Sequence, residues 1–127
     1  LTTLDARILL ASHRASGAPA TICVRAHRWQ VPYGVVASDR HGRFKAMEEK
    51  PIRTETISAG IYVLSPSAVQ LVPTTGPFDM PSLFDACRVA LKPPAVFLLR
   101  EYWLDIGQLD DLRRAQDEVT DLFRWTP

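Results

Sequence analysis

At 127 residues the chain has room for one globular domain with a real core. Its 46% hydrophobic and 23% charged residues are those of an ordinary soluble protein, and a net charge of +1 excludes a strong field drawing it to nucleic acid or a membrane surface. The longest apolar runs, such as Ala95–Leu99, are far too short to span a bilayer, and no signal-peptide pattern opens the chain.

Residues Leu4–Ala15 read as a helix, with Leu4, Ile8, Ala11 and Ala15 on one face, Thr3 as N-cap and Gly17 as the stop. Thr21–Val24 is a short buried strand, and Arg25–Gln30 is polar and irregular. Tyr33–Ser38 reads as a second strand, Asp39–Gly42 as a turn, and Phe44–Glu49 as the return strand of a hairpin. Pro51–Glu55 reads as loop, and the nearly continuous apolar run Thr56–Leu64 as a strand buried on both faces.

Ser65 and Pro66 supply an N-cap and a first-turn proline for a short helix reaching Val72. Asp79 can cap a helix whose face is Leu83, Phe84, Cys87, Ala90 and Leu91, ended by Lys92–Pro94. Ala95–Leu99 is another strand. A last helix starts near Gln108, with Leu109, Leu112, Ala115, Val119 and Leu122 as its stripe and Asp110 and Asp111 in its first turn. Helices interleaved with buried strands predict an α/β protein, and the hairpin makes its sheet mixed.

The two cysteines, Cys23 and Cys87, lack metal-binding spacing and lie among apolar residues. Both read as small buried hydrophobes, which suits a cytoplasmic protein. The ten prolines are spread along the chain and mark element boundaries. A start at Leu1 rather than methionine is read as a piece of something longer. His13 ends a helix while His27 and His41 lie in polar loops. No second ligand stands at metal spacing, so solvated or capping roles are expected.

Three places can carry chemistry. Lys50 follows Glu48 and Glu49 at a strand end and precedes a proline that forces extended backbone. It reads either as a phosphate clamp or as a surface lysine paired with its glutamates. Asp105, framed by Tyr102–Leu104 and Ile106–Gly107, suits Mg²⁺, which takes one or two protein carboxylates plus phosphate oxygens; the alternative is a cap for the last helix. Gly34 and Gly60 sit inside strands, where glycine marks either close approach of a ligand or tight packing.

In order along the chain, Val31–Val36, the Asp39–Gly42 turn, Glu49–Pro51, Ala59–Leu64, Tyr102–Gly107 and Asp111–Ala115 resemble the sugar-1-phosphate nucleotidyltransferase family. Phe78–Pro81 together with Glu101–Trp103 further resembles the branch that includes mannose-1-phosphate guanylyltransferases. The resemblance implies a Rossmann-like, three-layer αβα fold with a mixed sheet. Residues 1–127 would be the C-terminal, sugar-phosphate- and metal-binding part of a single nucleotidyltransferase domain, its N-terminal nucleotide-binding half absent.

The implied reaction joins a nucleoside triphosphate to a sugar 1-phosphate and releases pyrophosphate. By position, Lys50 would hold the sugar phosphate and Glu49 the sugar hydroxyls. The backbone at Tyr33 and Gly34 would approach the sugar, Ala59, Gly60 and Trp103 would line its pocket, and Asp105 would bind Mg²⁺. Ser58 departs from the asparagine usual before Ala59–Gly60, and a serine replaces only part of an amide's hydrogen bonding. The family's Gly-rich loop and second metal-binding aspartate are not in the chain, and the family pattern places that aspartate just upstream of Leu1. The expectations are therefore a fragment inactive alone, with no nucleic-acid or membrane partner, and self-association to cover exposed strand edges. The alternative is a non-catalytic sugar-phosphate-binding or regulatory module.

Overall fold

A computed structural model describes residues 1–107 and 109–122. It is α/β, and divides into two compact units: Leu1–Val24 with Ser58 onward, and Arg25–Ile57.

The first unit is built on three strands. Strand β1 (Ala20–Gln30) lies between β4 (Ile52–Leu64) and β5 (Ala95–Leu98). β1 and β5 run parallel, Thr21 to Val24 facing Ala95 to Leu98. The Ser65 N–H donates to the Pro19 carbonyl at 2.8 Å, so the end of β4 meets the start of β1 and that pair is antiparallel. The expected mixed sheet is therefore present.

Side chains alternate across a strand, which sorts the core into two clusters. Leu9 of helix α1 (Ala6–Ser16) packs on Cys23, Ala59 and Leu99. Ala20 packs on the opposite side with Ala68 of helix α2 (Pro66–Val69) and with Leu83 and Cys87 of helix α3 (Met80–Ala90). Helices thus cover both faces of the sheet. Both cysteines are buried, and burial pushes both thiols above their ordinary pKa. They are inert apolar filler, as expected.

Local signals account for most boundaries. Asp79 caps α3 by accepting from the Ser82 N–H at 2.9 Å, and Gly17 ends α1 in the left-handed region at φ +61°. The cap of α1 is Asp5 rather than Thr3, accepting from the Arg7 N–H at 2.9 Å. Thr3 does not serve because the helix begins at Ala6, which puts Asp5 at the cap position, while Thr3 is paired through its N–H with the Tyr102 carbonyl at 3.1 Å. α2 is one turn long and stops at Val69, short of the expected Val72. The start expected near Gln108 lies outside the described residues; helix α4 covers Leu109–Leu122.

In the second unit, β2 (Val35–Ser38) and β3 (Phe44–Glu48) form the expected hairpin, with Val36 opposite Met47. Asp39 organises its turn: Oδ1 accepts from the His41 and Arg43 N–H groups at 2.8 and 2.9 Å, and Gly42 takes φ +76°. Two sequence readings fail here. Arg25–Gln30 and Ile52–Glu55 are strand, not irregular chain and loop. Their side chains are largely exposed, so backbone pairing rather than burial makes them strands, and no apolar alternation announces it.

His13 is a further correction. It is buried, neither solvated nor a cap; its Nδ1 lies 2.8 Å from Thr21 Oγ1 and its Nε2 lies 3.0 Å from Ser65 Oγ. One ring thereby ties α1 to β1 and to the turn after β4. His13→Ala should cost about 1–3 kcal/mol by leaving buried Thr21 without its partner. Urea unfolding followed by circular dichroism measures this, and an unchanged midpoint would show that the ring carries no load.

Candidate functional site

A cleft of about 340 Å³ in the first unit is walled by Leu1, Thr2, Ala59–Ile61 and Trp103–Ile106. Its frame is an antiparallel ladder between residues a hundred positions apart. The Leu1 amino group donates to the Leu104 carbonyl at 2.8 Å, and the Leu104 N–H returns a bond of 2.8 Å to Leu1. Thr2 faces Trp103 in this pairing, and its hydroxyl donates to the Tyr102 carbonyl at 2.7 Å.

The opposite wall is a kink in β4. Gly60 takes φ +69°, a conformation that disfavours any side chain, and the space beyond its Cα is open. Its N–H donates to Ser58 Oγ at 3.1 Å. The Ala59 carbonyl accepts from the Trp103 indole Nε1–H at 2.8 Å, joining the two walls.

Asp105 is exposed at the rim of this cleft. Its Oδ1 accepts from the Gly107 N–H at 3.1 Å, and among the described residues its Oδ2 is uncommitted. A carboxylate held in a tight turn with one oxygen outward can bind a hard cation. No group of three potential metal ligands occurs among the described residues, so Asp105 would be one ligand and not a whole site.

The remaining predicted residues lie in the second unit. Tyr33 is 74% exposed. A Cβ at Gly34 would stand 3.0 Å from Glu49 Oε2 and 3.4 Å from Met47 Sδ, so any side chain here would press on the Glu49 carboxylate, a flexible end that would have to give way. Lys50 has φ +45°, the one non-glycine residue with positive φ among those described, so the extended backbone expected before Pro51 is not adopted. Such strain is costly and concentrates at functional positions. Glu48 pairs with Arg53 at 3.1 Å and not with Lys50, which argues against the reading of Lys50 as a lysine neutralised by its own glutamates. Structure thus brings Ala59, Gly60, Trp103 and Asp105 together in one unit, and Gly34 and Glu49 together in the other.

Two features escaped sequence reading. Thr2 was invisible as a ladder residue because its partner is distant in sequence. The Tyr102 hydroxyl donates to Glu118 Oε2 on α4, and Glu118 Oε1 accepts from Arg114 Nε at 2.7 Å. Spacing of Arg114 and Glu118 at i and i+4 signals the ion pair, but nothing in the sequence signals the tyrosine. The Arg114 and Tyr102 bonds hold the Glu118 carboxyl below its ordinary pKa, and the carboxylate in turn pushes the Tyr102 phenol up. This latch ties α4 to the segment that carries Trp103 and Asp105.

Comparisons with known proteins give the family and the fold. Residues 2–121 match the model of the nucleotidyl transferase family, and the chain belongs to that family. It is 32% identical over 126 residues to a UTP–glucose-1-phosphate uridylyltransferase of Synechocystis, covering 91% of this chain and 31% of the relative. It is 35% identical over 109 residues to a mannose-1-phosphate guanyltransferase of Pichia angusta, covering 83% and 30%. These relatives bear out the resemblance to sugar-1-phosphate nucleotidyltransferases. The chain spans about a third of the length of the relatives it matches. Among solved structures, a protein described as a glucose-1-phosphate thymidylyltransferase of Bacillus anthracis superposes with a TM-score of 0.65 at 15% identity, covering 100% of this chain and 53% of that one. The fold is that of a nucleotidyltransferase.

The latch predicts a pH dependence. Glu118 has its pKa lowered on folding, so its contribution is complete above about pH 4.3, the ordinary glutamate value, and is lost as pH falls through the lower folded-state value. Tyr102 is shifted upward, so its contribution is present below about pH 10 and lost as pH rises beyond. Tyr102→Phe should lower stability most between those limits and least at either extreme. Unfolding midpoints of the two proteins compared from pH 3 to 11 test this; a pH-independent difference would refute it.

Proposed function

We propose that this chain is the acceptor- and metal-binding part of a sugar-1-phosphate nucleotidyltransferase. The observation that carries the reading is the cleft that gathers Ala59, Gly60, Trp103 and Asp105 against the Leu1–Thr3 ladder. In the proposed reaction a sugar-phosphate oxygen attacks the α-phosphorus of a nucleoside triphosphate in line. The bond from that phosphorus to the β-bridging oxygen breaks, and pyrophosphate leaves. The protein's task is to position the reactants and offset charge.

In this reading Lys50 neutralises the sugar phosphate with its ammonium, and Glu49 accepts hydrogen bonds from sugar hydroxyls. The Tyr33–Gly34 backbone stays low enough for a sugar to approach. Ala59 and Gly60 shape the pocket, and Trp103 holds its wall. Asp105 would hold Mg²⁺, whose charge, when it is bound, offsets that of the phosphate oxygens. Triphosphate recognition is assigned to sequence outside these residues, so the chain alone should not turn over.

The guanylyl reading rests on Phe78–Pro81 and Glu101–Trp103, and the Synechocystis relative acts in the same chemistry with a different base. A base panel separates them. Self-association belongs to the same proposal: Val96 and Leu98 stand exposed on strand β5, and sedimentation at micromolar concentration would show a monomer if it is wrong.

Pyrophosphate release by the full-length gene product, with Mg²⁺ and panels of triphosphates and sugar 1-phosphates, tests the reaction. Release should need both substrates and fall at least about a hundredfold in Lys50→Ala and in Asp105→Ala. No release with any pair, alongside measurable sugar-phosphate binding, would establish the binding-module alternative instead. Gly34→Ala should displace the Glu49 carboxylate, raising KM for the sugar phosphate about tenfold while stability stays within about 0.5 kcal/mol. An unchanged KM would remove Glu49 from the site.

A further inference from the structure

Peptide units are planar and trans, so the N–H and C=O of one unit point in opposite directions. The Ala59–Gly60 peptide is gripped at both ends. Its N–H, on Gly60, donates to Ser58 Oγ at 3.1 Å. Its carbonyl, on Ala59, accepts from Trp103 Nε1 at 2.8 Å. Gly60 supplies the positive φ of +69° that lets the unit turn this way within a strand. The Tyr62 hydroxyl lies 3.2 Å from Ser58 Oγ and stands over Phe84 edge to face, which holds the serine hydroxyl on station.

We propose that Ser58 is a positioning residue for the cleft: its hydroxyl, by capturing the Gly60 N–H, fixes the plane of the Ala59–Gly60 peptide and so aims the Ala59 carbonyl at the Trp103 indole. Trp103 in turn sits in the ladder beside Thr2, two residues before Asp105. Loss of the serine oxygen frees the peptide to rotate, the indole loses a fixed acceptor, and the wall facing Asp105 loosens. The catalytic interest of this clamp rests on the sugar-phosphate reading of the cleft; the clamp itself does not.

The same logic says which side chains can stand at this position. The function required of the side chain is an acceptor reaching the backbone N–H two residues on. Serine, threonine and asparagine all do this, through the local turns their short polar side chains form. An asparagine in place of Ser58 would therefore keep the interaction that shapes the cleft and add only the amide's donors.

The test compares Ser58→Ala, Ser58→Thr and Ser58→Asn in the full-length protein, each checked for native far-ultraviolet circular dichroism. The first readout is hydrogen exchange of the Trp103 indole N–H by nuclear magnetic resonance, its signal assigned with Trp103→Phe. Exchange should quicken about five- to tenfold in Ser58→Ala, the size of one net hydrogen bond, and return to within about twofold of wild type in the other two variants. Unchanged exchange in Ser58→Ala, or failure of both rescues, overturns the proposal. The second readout is pyrophosphate release. KM for the sugar phosphate should rise by the same factor in Ser58→Ala with kcat nearly unchanged, and recover in both rescues. Faster indole exchange in a protein whose wild type releases no pyrophosphate would uphold the clamp and sink the sugar-phosphate reading alone. Faster exchange in an active enzyme with KM unmoved would overturn the positioning role.

Discussion

The first unit depends on closure between its two distant stretches, Leu1–Thr3 and Tyr102–Leu104. Three backbone hydrogen bonds and the Thr2 hydroxyl make that closure. Backbone bonds of this kind contribute only about 1 kcal/mol each in net terms. Their effect is larger than their energy, because they convert two chain segments into one wall. The Trp103 indole extends the wall by a further bond to β4. Without the ladder, Trp103 has no reason to face Ala59, and Asp105 no fixed place at the rim.

Burial and strain divide the labour between scaffold and site. Leu9, Cys23, Leu83 and Cys87 are buried in two clusters on the two faces of the sheet, and they hold α1 and α3 in place. The chemically interesting groups are exposed: Asp105, Glu49 and Lys50 all lie at the surface. Non-standard backbone is confined to loops and glycines, apart from Lys50 and its positive φ. A lysine held in a conformation it does not prefer, next to a buried proline, is an exception to the economy of the rest of the chain.

Much of this was legible in the sequence wherever one residue suffices to make a signal. Asp79 before Pro81 and Gly17 after a helical stripe mark their helix ends, and the Asp39–Gly42 turn announces its hairpin. Signals failed where pairing, not side-chain burial, sets the structure. Arg25–Gln30 is strand because β4 lies beside it, and its own side chains stand in solvent. They failed too where two residues or two roles fit one position. Thr3 has the chemistry of an N-cap, yet the helix begins at Ala6 and Asp5 takes that place. His13 has the sequence context of a helix end, and only the fold reveals two hydroxyls, one of them 52 positions away, waiting at its ring nitrogens. The residues of the candidate site were named from an ordered set of motifs. Which of them share a unit could not be, since that depends on where β1 and β4 cross from one unit to the other.

The metal question shows why a single carboxylate can still be informative. Mg²⁺ demands near-octahedral oxygen ligation and is usually held by few protein groups, with phosphate oxygens and water filling the shell. A site of this kind need not look like a cluster. In the proposed role Asp105 would use one oxygen anchored by the Gly107 N–H and another that is uncommitted among the described residues, at the rim of a cleft. The capping aspartates make backbone bonds of the same local kind, Asp5 to the N–H two residues on and Asp79 to the N–H three residues on. The bond to Gly107 is local to the turn, which leaves the outward oxygen to face whatever enters the cleft. What sets Asp105 apart is its second oxygen and its place: Asp5 commits its Oδ2 to the Arg7 guanidinium, whereas among the described residues the Oδ2 of Asp105 is uncommitted at the rim of a cleft.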